Sequence, residues 1–155
     1  MDNYQAIVAA PGFSLGVRCN DDEILVIDFL EARAELPPST LLAHEAVRQL
    51  RAYLKDPAFT FGVPLAPAGT PFQHRVWAQI GAIPCGETRT YGDIAAALKS
   101  APRAVGGACG ANPYPLVVPC HRVVASGGGL GGFARERGGL LLDIKRWLLA
   151  HEGIQ

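Results

Sequence analysis

The stretch Pro119-Cys120-His121-Arg122-Val123-Val124 sets a thiol, an imidazole and a guanidinium into an apolar run that begins at Leu116-Val117-Val118. Its pattern is that of a short strand interrupted by three reactive or charged side chains. The thiolate is the reactive form of cysteine, and a hydrogen-bonded base or a nearby cation favours it. His121 supplies such a base and Arg122 such a cation. A cysteine in an apolar run is equally the ordinary signature of an inert core residue. The six residues leave both readings open, and the surrounding chain has to decide between them.

The 155 residues suit one domain or two small ones with a buried core. With 49% hydrophobic and 18% charged residues, the composition is globular. No apolar run approaches the roughly 20 residues that span a bilayer, so no membrane partner is expected. Met1-Asp2-Asn3 is acidic and lacks the basic and apolar regions of a signal peptide, which predicts a cytoplasmic location. Cys19, Cys85, Cys109 and Cys120 are far apart without a CxxC pair and read there as free thiols. The net charge is zero but unevenly spread. Residues 1–69 carry 5 Lys/Arg against 9 Asp/Glu, and residues 70–155 carry 9 against 5. A basic C-terminal half permits a nucleic-acid partner without demanding one.

Residues 4–30 read as antiparallel strands punctuated by Pro11-Gly12 and Asn20-Asp21-Asp22. Ser39 is placed to cap a helix over about residues 40–55, with Leu42, Ala43, Ala46, Val47, Leu50 and Leu54 on one face. The Pro- and Gly-rich segment 57–69 reads as a linker, which divides the chain into domains 1–66 and 67–155. Thr70-Pro71 opens a helix whose Phe72, Val76, Trp77 and Ile80 share a face. Thr90 with Asp93 resembles a capping box for a short helix that buries Ile94 and Leu98. Pro102 restarts the chain into a second short helix, and the pair resembles a helix-turn-helix unit.

Arg103-Ala104-Val105-Gly106-Gly107-Ala108-Cys109-Gly110-Ala111 has little side-chain bulk after the arginine. Glycine in a helix interior costs roughly 1 kcal/mol relative to alanine, so the run needs a reason. Close approach of another backbone is one, whether a protein helix or the walls of a DNA groove; tight internal packing is the other. The glycine-rich loop 127–132 lacks the GxGxxG spacing of a dinucleotide site, and no nucleotide cofactor is expected. A last helix over Leu140 to His151 places Leu141, Ile144 and Leu148 on one face, with Gly153 as its stop. Glu152 sits at the helix end that disfavours a carboxylate. It is either a solvated terminal residue or, if the helix packs beside Cys120-His121, the third member of a Cys-His-Glu relay.

Together the C-terminal half resembles the O6-alkylguanine-DNA alkyltransferases. The similarity runs from Gly69-Thr70-Pro71-Phe72-Gln73 to Trp147-Leu148-Leu149-Ala150-His151-Glu152-Gly153, carried by Pro119 to Val124, Arg103 to Ala108, Asn112-Pro113 and Tyr91. The resemblance implies an α+β fold: a ribonuclease-H-like N-terminal domain with antiparallel strands, then a mostly helical domain holding the helix-turn-helix and the acceptor cysteine. It implies direct, single-turnover repair of O6-alkylguanine, and of O4-alkylthymine, in double-stranded DNA. A monomer would enter the minor groove, flip the damaged base and take its alkyl group, without cofactor or metal.

The same resemblance assigns roles. Cys120 matches the acceptor, His121 the base that deprotonates it, and Glu152 the carboxylate that orients the imidazole. Tyr91 matches the phenol that hydrogen-bonds the flipped base, and Asn112 the hinge between the recognition helix and the cysteine. Arg103 matches the residue that fills the vacated stack, while Ala104, Gly106, Gly107 and Ala108 match the groove-entering face. The carbonyls of Cys120 and Val123 match acceptors for the guanine amino group, and Pro115, Val123, Phe133 and Ala134 line the implied substrate pocket. Phe133 stands where many relatives carry tyrosine, and the segment after it is several residues longer, the surplus falling within Arg135-Glu136-Arg137-Gly138-Gly139. Gly110 replaces an arginine of some relatives, which predicts fewer phosphate contacts. Alkyltransferase-like proteins flip the base without accepting the alkyl group and lack the cysteine. A non-catalytic damage sensor is therefore the alternative that Cys120 weighs against.

Overall fold

The computed structural model describes residues 3–131 and 139–154. The chain divides into two compact units, Met1–Pro67 and Ala68–Gln155. Mixed strands and helices make the fold α+β, with an antiparallel sheet in the first unit and five helices among the described residues.

Strands β1 (Ala6–Ala10), β2 (Phe13–Cys19) and β3 (Ile24–Glu31) form an antiparallel sheet in sequence order. Val8 faces Leu15 and Val17 faces Ile27, which builds a continuous apolar face. Pro11-Gly12 closes the first hairpin, with Gly12 at φ +84°, a value that glycine adopts without a Cβ penalty. Asn20 closes the second by accepting from the backbone N–H groups of Asp22 (2.9 Å) and Glu23 (2.7 Å).

Helix α1 (Leu41–Lys55) is capped by Thr40, not Ser39. The Thr40 hydroxyl accepts from Ala43 N at 3.1 Å, whereas Ser39 is bonded through its own N–H to Gln5 O. Its buried face is Ala43, Ala46, Val47, Gln49, Leu50 and Tyr53, a rotation that leaves Leu42 and Leu54 half-exposed. The segment expected to be a linker is bound to this unit instead. Gln49 exchanges hydrogen bonds with Gly62, and Ile24 pairs in parallel with Leu65 at the sheet edge.

In the second unit, α2 (Pro71–Gly81) begins with a capping box between Thr70 and Gln73. Helix α3 (Tyr91–Leu98) begins with another between Thr90 and Asp93. Three residues, Lys99 to Ala101, connect α3 to α4 (Pro102–Gly110), with Lys99 in the left-handed region at φ 54°. Two-residue strands β4 (Arg89–Thr90) and β5 (Val123–Val124) pair in parallel. Helix α5 (Gly139–His151) buries Leu142, Ile144, Lys145, Leu148 and Leu149; Leu142 rather than Leu141 lies on the inner face. Gly153 at φ +84° ends it, and Ile154 N donates back to Leu149 O. Ile80, Ile94, Val105, Val123 and Leu148 are fully buried between these elements.

Candidate active site at the Cys120 turn

Cys120 does not lie in a strand. Cys120–Arg122 forms a 3-10 turn, and extended backbone resumes only at Val123. The turn is set by Arg122 N donating to Pro119 O (2.9 Å), following Cys120 N to Val118 O (2.8 Å). Proline at 119 ends the preceding run because it lacks an N–H for a ladder. The approach from α4 is tight: Leu116 is buried with φ +76°, a conformation that strains any residue but glycine. The tight backbone turn brings three consecutive side chains, Cys120, His121 and Arg122, toward different partners.

Asn112 ties α4 to the turn. Its Nδ2 donates to Val118 O (3.0 Å) and to Cys120 Sγ (3.3 Å), while its Oδ1 accepts from Tyr114 N (2.9 Å). The Cys120 thiol is 4% exposed. The Cys109 thiol, together with burial, pushes its pKa well above the ordinary value; Asn112 and the Lys145 charge act in the opposite direction. An external base is needed to make this thiol a nucleophile.

His121 fits that requirement. It is 1% exposed, and its Nε2 lies 2.7 Å from Glu152 Oε2. Burial lowers its pKa, and the Glu152 bond and charge only partly offset that, so the imidazole is neutral at pH 7. Facing a carboxylate, Nε2 takes the proton and donates, a tautomer assigned from the network. The lone pair is left on Nδ1, which is buried without a hydrogen-bond partner among the described residues.

Glu152 is doubly engaged. Arg122 Nε donates to Oε1 at 2.8 Å, and Arg122 Nη2 donates to Oε2 at 3.1 Å. Arg122 Nη1 is anchored by Ile83 O at 2.7 Å. This fork makes Arg122 a clamp on the carboxylate rather than a cation beside the thiol. Fork and imidazole together compensate a side chain that is 0% exposed.

Two further groups join the site that sequence reasoning did not assign to it. Lys145 is fully buried, and its Nζ donates to Val123 O (2.8 Å) and Leu130 O (2.7 Å). Burial lowers its pKa to about 8. The ammonium stands 5.8 Å from the centre of the Tyr91 ring. Its position beside Ile144 and one turn before Leu148 and Leu149 puts it on the apolar face by spacing alone, which was the available signal. Cys109, in the last turn of α4, gave no comparable signal.

Tyr91 begins α3, with its ring against Gly131: a Cβ there would come within 2.8 Å of Tyr91 Cε2. On α4, Arg103, Ala104 and Gly107 are exposed and Gly106 is half-buried. A Cβ at Gly106 or Gly107 would meet nothing within 4 Å. The small residues are therefore not explained by internal packing. Ala108 is the exception and a correction to the expected exposed face. It is 1% exposed, and its carbonyl accepts from Trp77 Nε1 at 2.9 Å. Pro115 is half-buried and bridges to Val118. Phe133, Ala134 and the expected loop surplus at 135–138 lie outside the described residues. Cys19 contacts Thr40 Oγ1, and no group of three or more His, Cys, Asp or Glu among the described residues could hold a metal ion. No helix among them is long and apolar enough to cross a membrane.

Residues 71–154 match the family described as the DNA-binding domain of 6-O-methylguanine DNA methyltransferase. The methylated-DNA–protein-cysteine methyltransferase of Methanosarcina acetivorans is 40% identical over 97% of this chain and 98% of its own. The constitutive enzyme of that name from Bacillus subtilis is 46% identical over 71% of this chain and 66% of its own. A crystal structure of the Mycobacterium tuberculosis protein in complex with DNA superposes with a TM-score of 0.79 at 36% identity, covering 94% of this chain and 90% of that one. The chain belongs to the O6-methylguanine-DNA methyltransferase family. It is an enzyme of the methylated-DNA–protein-cysteine methyltransferase class, a DNA-binding repair protein.

Proposed function

We propose that the protein repairs O6-alkylguanine, and O4-alkylthymine, in duplex DNA by moving the alkyl group irreversibly to Cys120 Sγ. The observation that carries this reading is the Nε2–Glu152 bond of His121, which leaves a basic Nδ1 buried and unpartnered among the described residues, one position along the chain from the buried Cys120. The Cys120 proton passes to Nδ1, in the family through a water. Glu152, clamped by Arg122, stabilises the imidazolium that results. The thiolate attacks the alkyl carbon in line, and the S–C bond forms as the O6–C bond breaks. Tyr91 hydrogen-bonds the flipped base and offsets charge on the departing guanine. The thioether has no route back to a thiol, so each molecule acts once and needs no cofactor.

The exposed face of α4 supports the DNA half of the reading. A helix with Arg103, Ala104, Gly106 and Gly107 outward, and open space over both glycines, suits entry into a narrow minor groove. Arg103 occupies the gap left by the flipped nucleotide and offsets an unpairing cost of a few kcal/mol. The carbonyls of Cys120 and Val123 read the guanine amino group, with Pro115 as a wall of the pocket. We assign the protein to the cytoplasm, working on chromosomal DNA as a monomer.

Incubation with a duplex oligonucleotide containing O6-methylguanine, followed by peptide mass analysis, tests the reading. One methyl gained on the peptide that holds Cys120, and none in Cys120→Ala, is the expected result. Tight binding to the modified duplex without transfer would replace it with the sensor.

A further inference from the structure

We propose that Trp77 is a positioning residue for DNA reading: its indole N–H sets the rotation of α4 about its own axis and so decides which residues of that helix face the duplex. Its consequence for DNA rests on the reading of α4 as the groove-entering helix.

Helix α4 is poorly equipped to fix its own orientation. Of its nine residues only Val105 and Ala108 are buried, and both are small. Gly106, Gly107 and Gly110 present no side chain, and Ala101 at the N-cap makes no side-chain hydrogen bond. Glycine within the helix weakens it further. Apolar contact is non-directional, so two small side chains bury area without defining an angle. A hydrogen bond does define one, because it weakens steeply as donor and acceptor leave alignment.

The last four carbonyls of a helix lack partners within it. At the end of α4, Ala111 N donates to Gly107 O (3.1 Å) and Asn112 N donates to Cys109 O (3.2 Å). Ala108 O lies between these two and accepts from Trp77 Nε1 at 2.9 Å, a bond that comes from 31 positions earlier in the chain. Ala108 is 1% and Trp77 9% exposed, so water is a poor substitute for either group.

The donor is itself held in place. Val76 and Ile80 are fully buried, which fixes the face of α2 that carries Trp77. Gly69 passes so close to the indole that a Cβ there would lie 2.6 Å from Trp77 Cη2, and the His74 and Trp77 ring centroids are 5.8 Å apart. With Ala108 drawn toward α2, Val105 one turn earlier faces inward as well, and Arg103, Ala104 and Gly107 are left exposed. A slip by one residue turns a helix by about 100°, enough to take Gly107 off the outward face. The indole acts through α4 and has no part in moving the alkyl group or the proton.

The test separates the N–H from the ring. In the full chain Trp77 is replaced by benzothienylalanine, which keeps the two-ring shape with sulfur in place of N–H, by fluorotryptophan, which keeps the donor, and by phenylalanine (Trp77→Phe). Affinity for the O6-methylguanine duplex, transfer from that duplex and transfer from the free O6-alkylguanine base are measured on each protein. The ratio of the two transfer rates is the deciding readout, because an unfolded fraction lowers both alike and leaves it unchanged. The benzothienyl and phenylalanine proteins are expected to lose about tenfold in duplex affinity and in the duplex-to-base ratio, as the aligned helix becomes a minority state. The fluorotryptophan protein is expected to match wild type. A wild-type ratio in the benzothienyl protein, equal loss on both substrates, or reaction with neither would make the indole a packing residue and overturn the proposal. A wild-type protein that binds the duplex and transfers nothing would remove the assigned repair function, and the duplex affinity of the benzothienyl protein would still decide the role of Trp77.

Discussion

Arg122 Nε lies 2.8 Å from Glu152 Oε1, joining two residues 30 positions apart around a carboxylate that is 0% exposed. Glu152 in turn holds Nε2 of His121. The clamp holds the carboxylate that faces Nε2 and so fixes which nitrogen of His121 carries the proton, as the proposed base requires. Replacing Arg122 by methionine leaves a buried carboxylate without its cation. The expected cost is about 3 kcal/mol of stability together with slower methyl transfer. Denaturant unfolding and single-turnover kinetics measure both; a midpoint equal to wild type would show that the carboxylate does not depend on the clamp.

The pH dependence of transfer follows from His121. Burial is the larger influence and lowers its pKa, and Glu152 works against it. Protonation removes the base, so the rate falls on the acid side with a midpoint below the ordinary value of about 6.5. Glu152→Gln removes the anion that favours imidazolium and moves that limb to still lower pH, with a reduced plateau. The folding contribution has the same sign: it is complete above the unfolded-state value and is lost as pH falls through the folded one. Rates from pH 4 to 8 for both proteins decide it, and a limb that moves upward in the variant refutes the assignment.

Lys145 makes stability depend on pH on the alkaline side. Burial holds its pKa at about 8, below the ordinary value near 10.4. Between these values the unfolded chain binds the extra proton, so stability rises with pH by up to about 1 kcal/mol per pH unit. Lys145→Met is neutral throughout and flattens that slope. Urea titrations at pH 8, 9 and 10 compare the two; parallel slopes would mean that the lysine is not desolvated.

Gly106 and Gly107 separate stability from DNA binding. Open space around both lets a Cβ in without a clash. Gly107→Ala is expected to stabilise the helix by up to about 1 kcal/mol. Gly107→Phe is expected to fold and yet bind duplex DNA weakly, since its ring occupies the face offered to the groove. Thermal unfolding and duplex titration read the two effects, and a destabilised alanine variant would restore the internal-packing explanation.

Arg103 is exposed at the start of α4, whereas the His121–Glu152 pair is buried. Arg103→Ala should transfer from a free O6-alkylguanine base as wild type does and react more slowly with the duplex. Equal loss on both substrates would place Arg103 in folding or chemistry.

Much of this was legible in the chain. The cap at Thr70 before Pro71 and the box of Thr90 with Asp93 are local relationships closed by neighbouring backbone N–H groups, and they were readable as written; the pairing of Thr70 with Gln73 is a finding of the structure. The strand order followed from turn residues next to apolar alternation. Ser39 and Thr40 stand side by side and are equally able to cap, so only the pairing of Ser39 with Gln5 selected between them. The linker reading failed for a similar reason: proline and glycine mark irregular backbone but do not say whether it binds a sheet edge, as Leu65 does at Ile24.

The site divides in the same way. Residue type marked Cys120 and His121 and left Glu152 open between a solvated end and a relay; the expected roles of Tyr91 and Asn112 came from the family resemblance. Spacing did not show that Arg122 turns to hold Glu152 or that Lys145 is buried against Val123 O. Those are contacts between segments brought together by closure of the C-terminal unit. A side chain's partner and protonation state follow from desolvation and from groups distant along the chain. Periodicity, caps and turn residues act over a few positions and therefore shape each element. They leave open which charges the folded interior brings together.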